Sequence, residues 1–288
     1  NCGPDIRWVG NESGRARKSE WNVVPAFSCE TQNIASHSQQ TDAQDMKQQA
    51  SDSHLEDLGS RAFLANYDSF MWYPAEVDVS IRPGWFYHKK ESRRVRSLEN
   101  LLRIYYGSVG GNSLLLLNVP PDTEGLLHEM DVRRLKELGD EIKKGVQLPA
   151  LVSNVSAAPN EAGHGPENLL TNEADFYTPT EVAGRYEVIQ EFARAQIDKV
   201  LLKEQCAFSQ RIEAFRIYVR LNGRERLVYE GTTVGICRFA LLPKPLQADG
   251  IRLEITQCRG KPYLRQLQAY QVNGRLPRPS WRRRAARL

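Results

Sequence analysis

The segment Met71-Trp72-Tyr73-Pro74-Ala75-Glu76-Val77-Asp78-Val79-Ser80-Ile81-Arg82-Pro83-Gly84-Trp85 limits what this chain can fold into more than any other stretch. It sets two carboxylates, a guanidinium and three aromatic rings among small apolar residues. As a fully buried strand it would take Glu76, Asp78 and Arg82 out of water, at several kcal/mol for each unpaired charge. A strand whose end opens into a polar cleft avoids that cost, because a bound ligand supplies the partners. Aromatic faces beside carboxylates suit a carbohydrate, whose C–H surfaces stack on rings and whose hydroxyls donate to carboxylates.

The following residues place that strand in a layered fold. Ser97 stands where an N-cap is wanted, and Leu98, Leu101, Leu102 and Tyr105 then share one helical face through Gly107. Gly110-Gly111-Asn112 turns the chain into Leu114 to Val119, read as a buried strand, which Pro120-Pro121-Asp122 stops. His128 to Lys144 is a second helix, with Met130, Val132, Leu135, Leu138 and Ile142 apolar. Helix, turn, apolar strand, loop and helix make α/β grammar with a parallel sheet. In a (β/α)8 barrel the functional groups gather at strand C-termini, where Asn118–Asp122 and Glu76–Trp85 would fall.

After Pro149 the grammar changes to short alternating runs: Tyr186–Ile189, Lys199–Leu202, Phe215–Val219, Arg226–Tyr229 and Gly250–Ile255. Asn222-Gly223 is a strong hairpin signal, and such spacing predicts a β-sandwich. The expected fold class is therefore α/β plus all-β, in three parts: 1–148, 149–274, and a basic, disordered tail at 275–288. Ser36 to Asp57 is expected as a polar surface insertion, partly helical from Thr41 to Gln49.

Composition excludes several classes. No apolar run is long enough to cross a bilayer as a helix, so no membrane span is expected. Net charge is +4, but the arginines at 275, 278, 282, 283, 284 and 287 account for the excess, and no nucleic-acid partner is expected from a solvated terminus. The five cysteines contain no CxxC pair, so free thiols are expected rather than a zinc site or a disulfide framework. His37, His54, His88, His128 and His164 form no ligand motif, and no phosphate loop or dinucleotide fingerprint is present. No metal and no cofactor are expected.

Two blocks of sequence go further. Gly3-Pro4-Asp5-Ile6-Arg7-Trp8-Val9-Gly10-Asn11-Glu12 and Pro74 to His88, followed by Leu101–Tyr106, Ser108-Val109-Gly110 and Leu115–Asp122, resemble the α-L-fucosidases of glycoside hydrolase family 29, in the branch preferring α-1,3/4-linked fucose. The likeness covers roughly residues 1–145. Gln210–Phe215 and Gly231–Gly235, within 150–273, resemble the discoidin-like β-sandwich that follows the barrel in these enzymes. The resemblance thus implies the C-terminal part of a (β/α)8-type barrel followed by a discoidin-like β-sandwich.

The resemblance also implies retaining hydrolysis of a fucosylated oligosaccharide or glycoconjugate by two carboxyl groups, a nucleophilic Asp and an acid/base Glu. By motif, Glu12 is the acid/base, and Arg7 matches a fucose-contacting arginine, with a salt bridge to a nearby carboxylate as the other reading. Trp85 is expected at the methyl group and ring face of the deoxysugar, or in ordinary packing. Glu76, Asp78, Arg82 and His88 are expected to line the fucose site or the neighbouring subsite, with a structural network holding the loop as the other reading for Asp78 and Arg82, while Trp8 reads as core. The nucleophile of the resembled family lies upstream of the Gly-Asn-Glu motif and has no counterpart in this chain. The missing N-terminal barrel half is then required, and residues 1–288 alone are expected to be inactive. Arg15, Arg17 and Lys18 bring three cations close to Glu12, which would favour its ionised form. A binding role for the sandwich is the alternative, with Phe176, Tyr177 and Tyr263 stacking on sugar, as is a non-catalytic remnant.

Overall fold

The computed structural model describes residues 5–25, 55–171 and 175–277. The insertion at Ser36–Asp57, all but its last three residues, and the tail beyond 277 lie outside the described residues, as do Cys2 and Cys29. The architecture is mixed α/β with mostly sheet.

The first part begins with β1 (Arg7–Trp8), β2 (Val23–Pro25), the short helix α1 (Arg61–Leu64), β3 (Phe70–Trp72) and β4 (Ala75–Ser80). Helix α2 (Leu98–Ser108), strand β5 (Leu114–Asn118) and helix α3 (Glu129–Gly145) complete it. Strands β1, β4 and β5 form a parallel three-stranded sheet with β4 in the centre. The Ser97 hydroxyl caps α2 by accepting from the Asn100 N–H, and His128 caps α3 through Nδ1, which accepts from the Met130 N–H. Both caps satisfy donors that a helix start leaves open.

One face of this sheet is packed and the other is open. Val9, Ala75, Val77 and Val79 are buried together with Leu101, Leu102, Ile104 and Leu138 of the helices. Leu114 and Leu116 are 45% and 49% exposed. This corrects the expectation of a buried strand at Leu114–Val119. Side chains alternate along a strand, and the half that shares a face with Glu76 and Asp78 has no described element over it.

The second part is antiparallel. Its strands are β6 (Val152–Ala157), β7 (Tyr186–Glu204), β8 (Ile212–Leu221), β9 (Arg224–Gly231), β10 (Arg238–Cys258) and β11 (Leu264–Gln271). The sheet order is β11-β7-β10-β8-β9, with β6 also on β7. The runs Tyr186–Ile189 and Lys199–Leu202, expected as separate strands, belong to the single strand β7. Its first half pairs with β6 and its second with β11, while β10 lies along both, with register shifts between Leu241/Leu246 and Ala248/Gly250. Bulges of this kind bend strands, and the bent sheet encloses one core containing Val188, Ile197, Leu202, Phe215, Ile217, Ile251 and Leu267. The Asn222-Gly223 turn has φ of 50° and 73°, as its sequence demands.

The two parts share packing. Phe239, Leu201 and Tyr270 of the antiparallel sheet belong to the same cluster as Leu101, Leu102 and Tyr106, and the Tyr106 and Phe239 rings meet edge-on at 5.3 Å. The expected tail is corrected at its start: the Arg275 N–H donates to Glu141 at 2.7 Å, and Leu276 packs on the shared cluster.

Candidate functional site

Register places the chemistry. Trp8 pairs with Glu76, Glu76 with Leu114, Asp78 with Leu116 and Ser80 with Asn118. In-register residues of a parallel sheet project to the same side, so Trp8, Glu76, Asp78, Ser80 and Asn118 share the open face, with β1 and β4 ending close to Glu12 and Trp85.

Glu12 stands exposed on the loop that leaves β1. Gly10 (φ 86°) and Gly14 (φ 77°) turn the backbone through the left-handed region on either side of it. The Asn11 side chain braces the crest by accepting from the Ser13 N–H at 2.9 Å. Asp78 is half-buried, and its carboxyl is held above the usual range, first by burial and then by the charge of Glu12. Glu76 is raised likewise, first by burial and then by Asp78. The charge of Glu12 thus acts on Asp78 and that of Asp78 on Glu76, each disfavouring the ionised form of its neighbour.

The loop after β4 is fastened from below. The Ser80 hydroxyl donates to Gly84 O at 2.7 Å, and the Asn118 amide donates to Ser80 Oγ at 3.1 Å and to Trp85 O at 3.0 Å. These bonds hold Trp85 at the strand ends, 37% exposed. Arg82 is fully buried and pairs with Asp131 of α3, Nη2 lying 2.8 Å from Oδ2, while its guanidinium lies over the Tyr87 ring. Of its two readings, the loop-holding network is the one the structure builds. His88 is exposed at the start of the one-turn 3-10 helix Lys89–Glu91.

Arg7 is not brought to the carboxylates. It is buried on the packed side of β1, where Nη2 pairs with Glu20 and donates to Trp21 O, and Nε donates to Tyr73 O. Of its two sequence readings, the ion pair is the one present. Arg17 corrects the notion of three cations crowding Glu12, since its guanidinium is buried and lies 3.3 Å from Glu20. Trp8, expected in the core, is 43% exposed on the carboxylate face.

Sequence reasoning missed Glu20, a lone acid after Arg15-Ala16-Arg17-Lys18-Ser19. It ties Arg7 to Arg17, and its carbonyl accepts from Asn112 and Gln210 side chains, the latter in the antiparallel part. Asn118, which the sequence places at a strand C-terminus, is the residue that fastens the loop through Ser80 Oγ and Trp85 O.

At the far end of the antiparallel part, the expected sugar-stacking trio is corrected. Tyr177 is fully buried, its hydroxyl donating to Ala158 O at 3.3 Å, and Phe176 is buried against His164. Tyr263 is half-buried between Phe208 and the Arg211 guanidinium. Cys206, Cys237 and Cys258 are free, and burial pushes the Cys237 thiol up to about 11. No helix among the described residues is long and apolar enough to cross a membrane.

Comparison with known proteins identifies the family. The family model for alpha-L-fucosidase matches residues 1–145. Alpha-L-fucosidase 1 of Arabidopsis thaliana is 32% identical over 281 residues, covering 94% of this chain and 50% of the plant protein. A crystal structure of a candidate alpha-L-fucosidase from Bacteroides ovatus superposes with a TM-score of 0.72 at 34% identity, over 96% of this chain and 43% of that one. A Ruminococcus gnavus fucosidase of glycoside hydrolase family 29, solved with fucose, shares the fold at 23% identity and a TM-score of 0.75, over 93% and 50% of the two chains. The chain spans about half the length of the curated relatives it matches.

Proposed function

Since this chain belongs to the alpha-L-fucosidase family, glycoside hydrolase family 29, we propose that residues 1–145 form the C-terminal part of a (β/α)8-type catalytic barrel that releases L-fucose from fucosylated glycans of the α-1,3/4-linked type. The observation that carries this reading is the placement of Glu76 and Asp78 beside Trp8 on the open face of the parallel strands, with Glu12 near enough for its charge to act on Asp78. In the proposed mechanism Glu12 protonates the leaving oxygen and then, ionised, activates the water that attacks the fucosyl–enzyme intermediate. Trp85 offers its face to the deoxysugar.

Retaining chemistry needs a second carboxyl group as nucleophile. We assign it to a strand that precedes the Gly3–Glu12 motif in the family, so turnover requires that segment. The antiparallel part is proposed as the discoidin-like β-sandwich, with a bracing role. Its support is the set of bonds across the junction: Gln210 to Glu20 and Asn22, Thr232 to Lys18, and Arg259 to Gly59 O.

The test is hydrolysis of an aryl α-L-fucoside by residues 1–288, alone and co-expressed with the N-terminal half of a relative. The expected result is fucose release only from the pair, lost on Glu12→Gln. Release by residues 1–288 alone would overturn the assignment of the nucleophile. Full activity of the Glu12→Gln pair would overturn that of the acid/base.

A further inference from the structure

The loop after Trp85 carries a charge pattern that fucose hydrolysis leaves unused. His88-Lys89-Lys90-Glu91-Ser92-Arg93-Arg94-Val95-Arg96 sets five Lys and Arg side chains against one carboxylate. That carboxylate is engaged, with Glu91 lying 3.6 Å from Arg94. Arg96 is turned inward, donating to Ser80 O at 2.7 Å and to Asn100 Oδ1. Lys89, Lys90 and Arg93 are exposed, and among the described residues they make no ion pair. Three cations gathered without counter-charge repel one another, a cost that an anionic partner would remove.

Their place relative to the carboxylate face is fixed by chain length. Lys89 is four residues beyond Trp85, so the two lie within about 14 Å. Between them Phe86 is 78% exposed, an open ring face beside the cations. The loop after β5 contributes exposed Glu124 and the start of α3 exposed Glu129, next to His128 whose ring meets Tyr87, while Asp122 is half-buried and accepts from Glu124 N and Leu126 N within its own turn. Inward, Glu12, Glu76 and Asp78 repel anions. Attraction and repulsion together put an acceptable negative charge outside the sugar pocket, on the residues to which the reacting sugar is joined.

We propose that Lys89, Lys90 and Arg93, with Phe86, form a rim that binds anionic glycans, so that the substrate class is a fucoside whose neighbouring sugars carry sulfate or carboxylate groups. The word fucoside rests on the preceding reading, but the rim can be tested without fucose. The full chain is titrated calorimetrically with dextran sulfate, oligogalacturonate and neutral dextran at low salt, then at 0.3 M salt, at about a 5–6 Å Debye length. The same is done for the Lys89→Glu/Lys90→Glu/Arg93→Glu variant and for a chain ending at Pro277, which lacks the arginine-rich terminus.

The expected result is salt-sensitive binding of an anionic probe, unchanged on removing the terminus and at least about tenfold weaker in the rim variant. Dextran sulfate binding more tightly assigns sulfate, and oligogalacturonate binding more tightly assigns carboxylate. Either supports the rim. Binding lost with the terminus alone, equal binding by the rim variant, equal binding of neutral dextran, or no binding at low salt would each overturn it. Attaching fucose to the better probe separates the two readings: unchanged affinity with intact rim dependence counts against the fucose pocket only.

Discussion

Replacing Asp131 by Leu should cost this protein more than replacing Asp131 and Arg82 together. The pair is fully buried, and both Nε and Nη2 of Arg82 approach the same oxygen, Oδ2, at 2.9 and 2.8 Å. Asp131 Oδ1 and Arg82 Nη1 have no protein partner among the described residues. Removing one member leaves a bare charge inside, which costs about 3–5 kcal/mol. Asp131 also stands in the first turn of α3, where its charge adds about 0.3–1 kcal/mol against the helix dipole. The Arg82 guanidinium over Tyr87 contributes about 0.5–2 kcal/mol. In the Leu/Leu double variant the desolvation of both ions disappears, which offsets these two losses, so its stability should fall within about 1 kcal/mol of the parent. The coupling energy, the two single costs less that of the double variant, is then about 5 kcal/mol or more. Urea unfolding of the full chain measures it, followed by Trp fluorescence and circular dichroism, whose transitions must coincide for the values to be used. A coupling below about 1 kcal/mol would refute the claim that this pair anchors the Trp85 loop as a buried unit.

Three further outcomes follow from other sites. Glu204 accepts from the N–H groups of Arg211, Ile212 and Gly235 at 2.7–2.9 Å, so Glu204→Ala strands three donors and should lower stability by about 3 kcal/mol or more in denaturant titration. Gly14→Ala should cost about 1–3 kcal/mol, because φ is 77° and the added Cβ would sit 2.7 Å from Ile104 Cγ1; unchanged stability would show that the Glu12 loop is not so fixed. Asp78 has a folded-state pKa raised above its unfolded value, so the folded state binds more protons and stability falls as pH rises through the folded pKa. Asp78→Asn should therefore raise Tm at pH 7, with the gain vanishing near pH 4, and a gain independent of pH would contradict the linkage.

Local signals in the chain were decisive where the backbone itself enforces them. Ser97 capped α2, Asn222-Gly223 made its hairpin, and the switch of grammar near Pro149 falls between the end of α3 at Gly145 and the start of β6 at Val152. What the sequence concealed depends on partners far away along the chain. Leu114 and Leu116 read as buried because leucine runs usually are, yet their exposure is decided by what covers the sheet. Arg7 sits one residue from Trp8 but on the other side of β1, so proximity in a motif did not place both in one site. Phe176 and Tyr177 read as exposed rings in sequence, yet they are buried, Phe176 against the His164 and Tyr263 rings. The coupling of Glu12 to Asp78 across 66 positions became visible only through strand register.

The shared cluster of Phe239, Leu201 and Tyr270 with Leu101, Leu102 and Tyr106 has a consequence for how the molecule comes apart. The residues between 145 and 152 look like a place to cut, but they join two parts that share an apolar cluster, reinforced by the Gly111–Arg238 bridge and the Gln210–Glu20 and Thr232–Lys18 bonds. A protease nick there should leave both halves held together until denaturant melts them jointly. The packed side of the parallel sheet thus shares its core with residues far downstream in the chain.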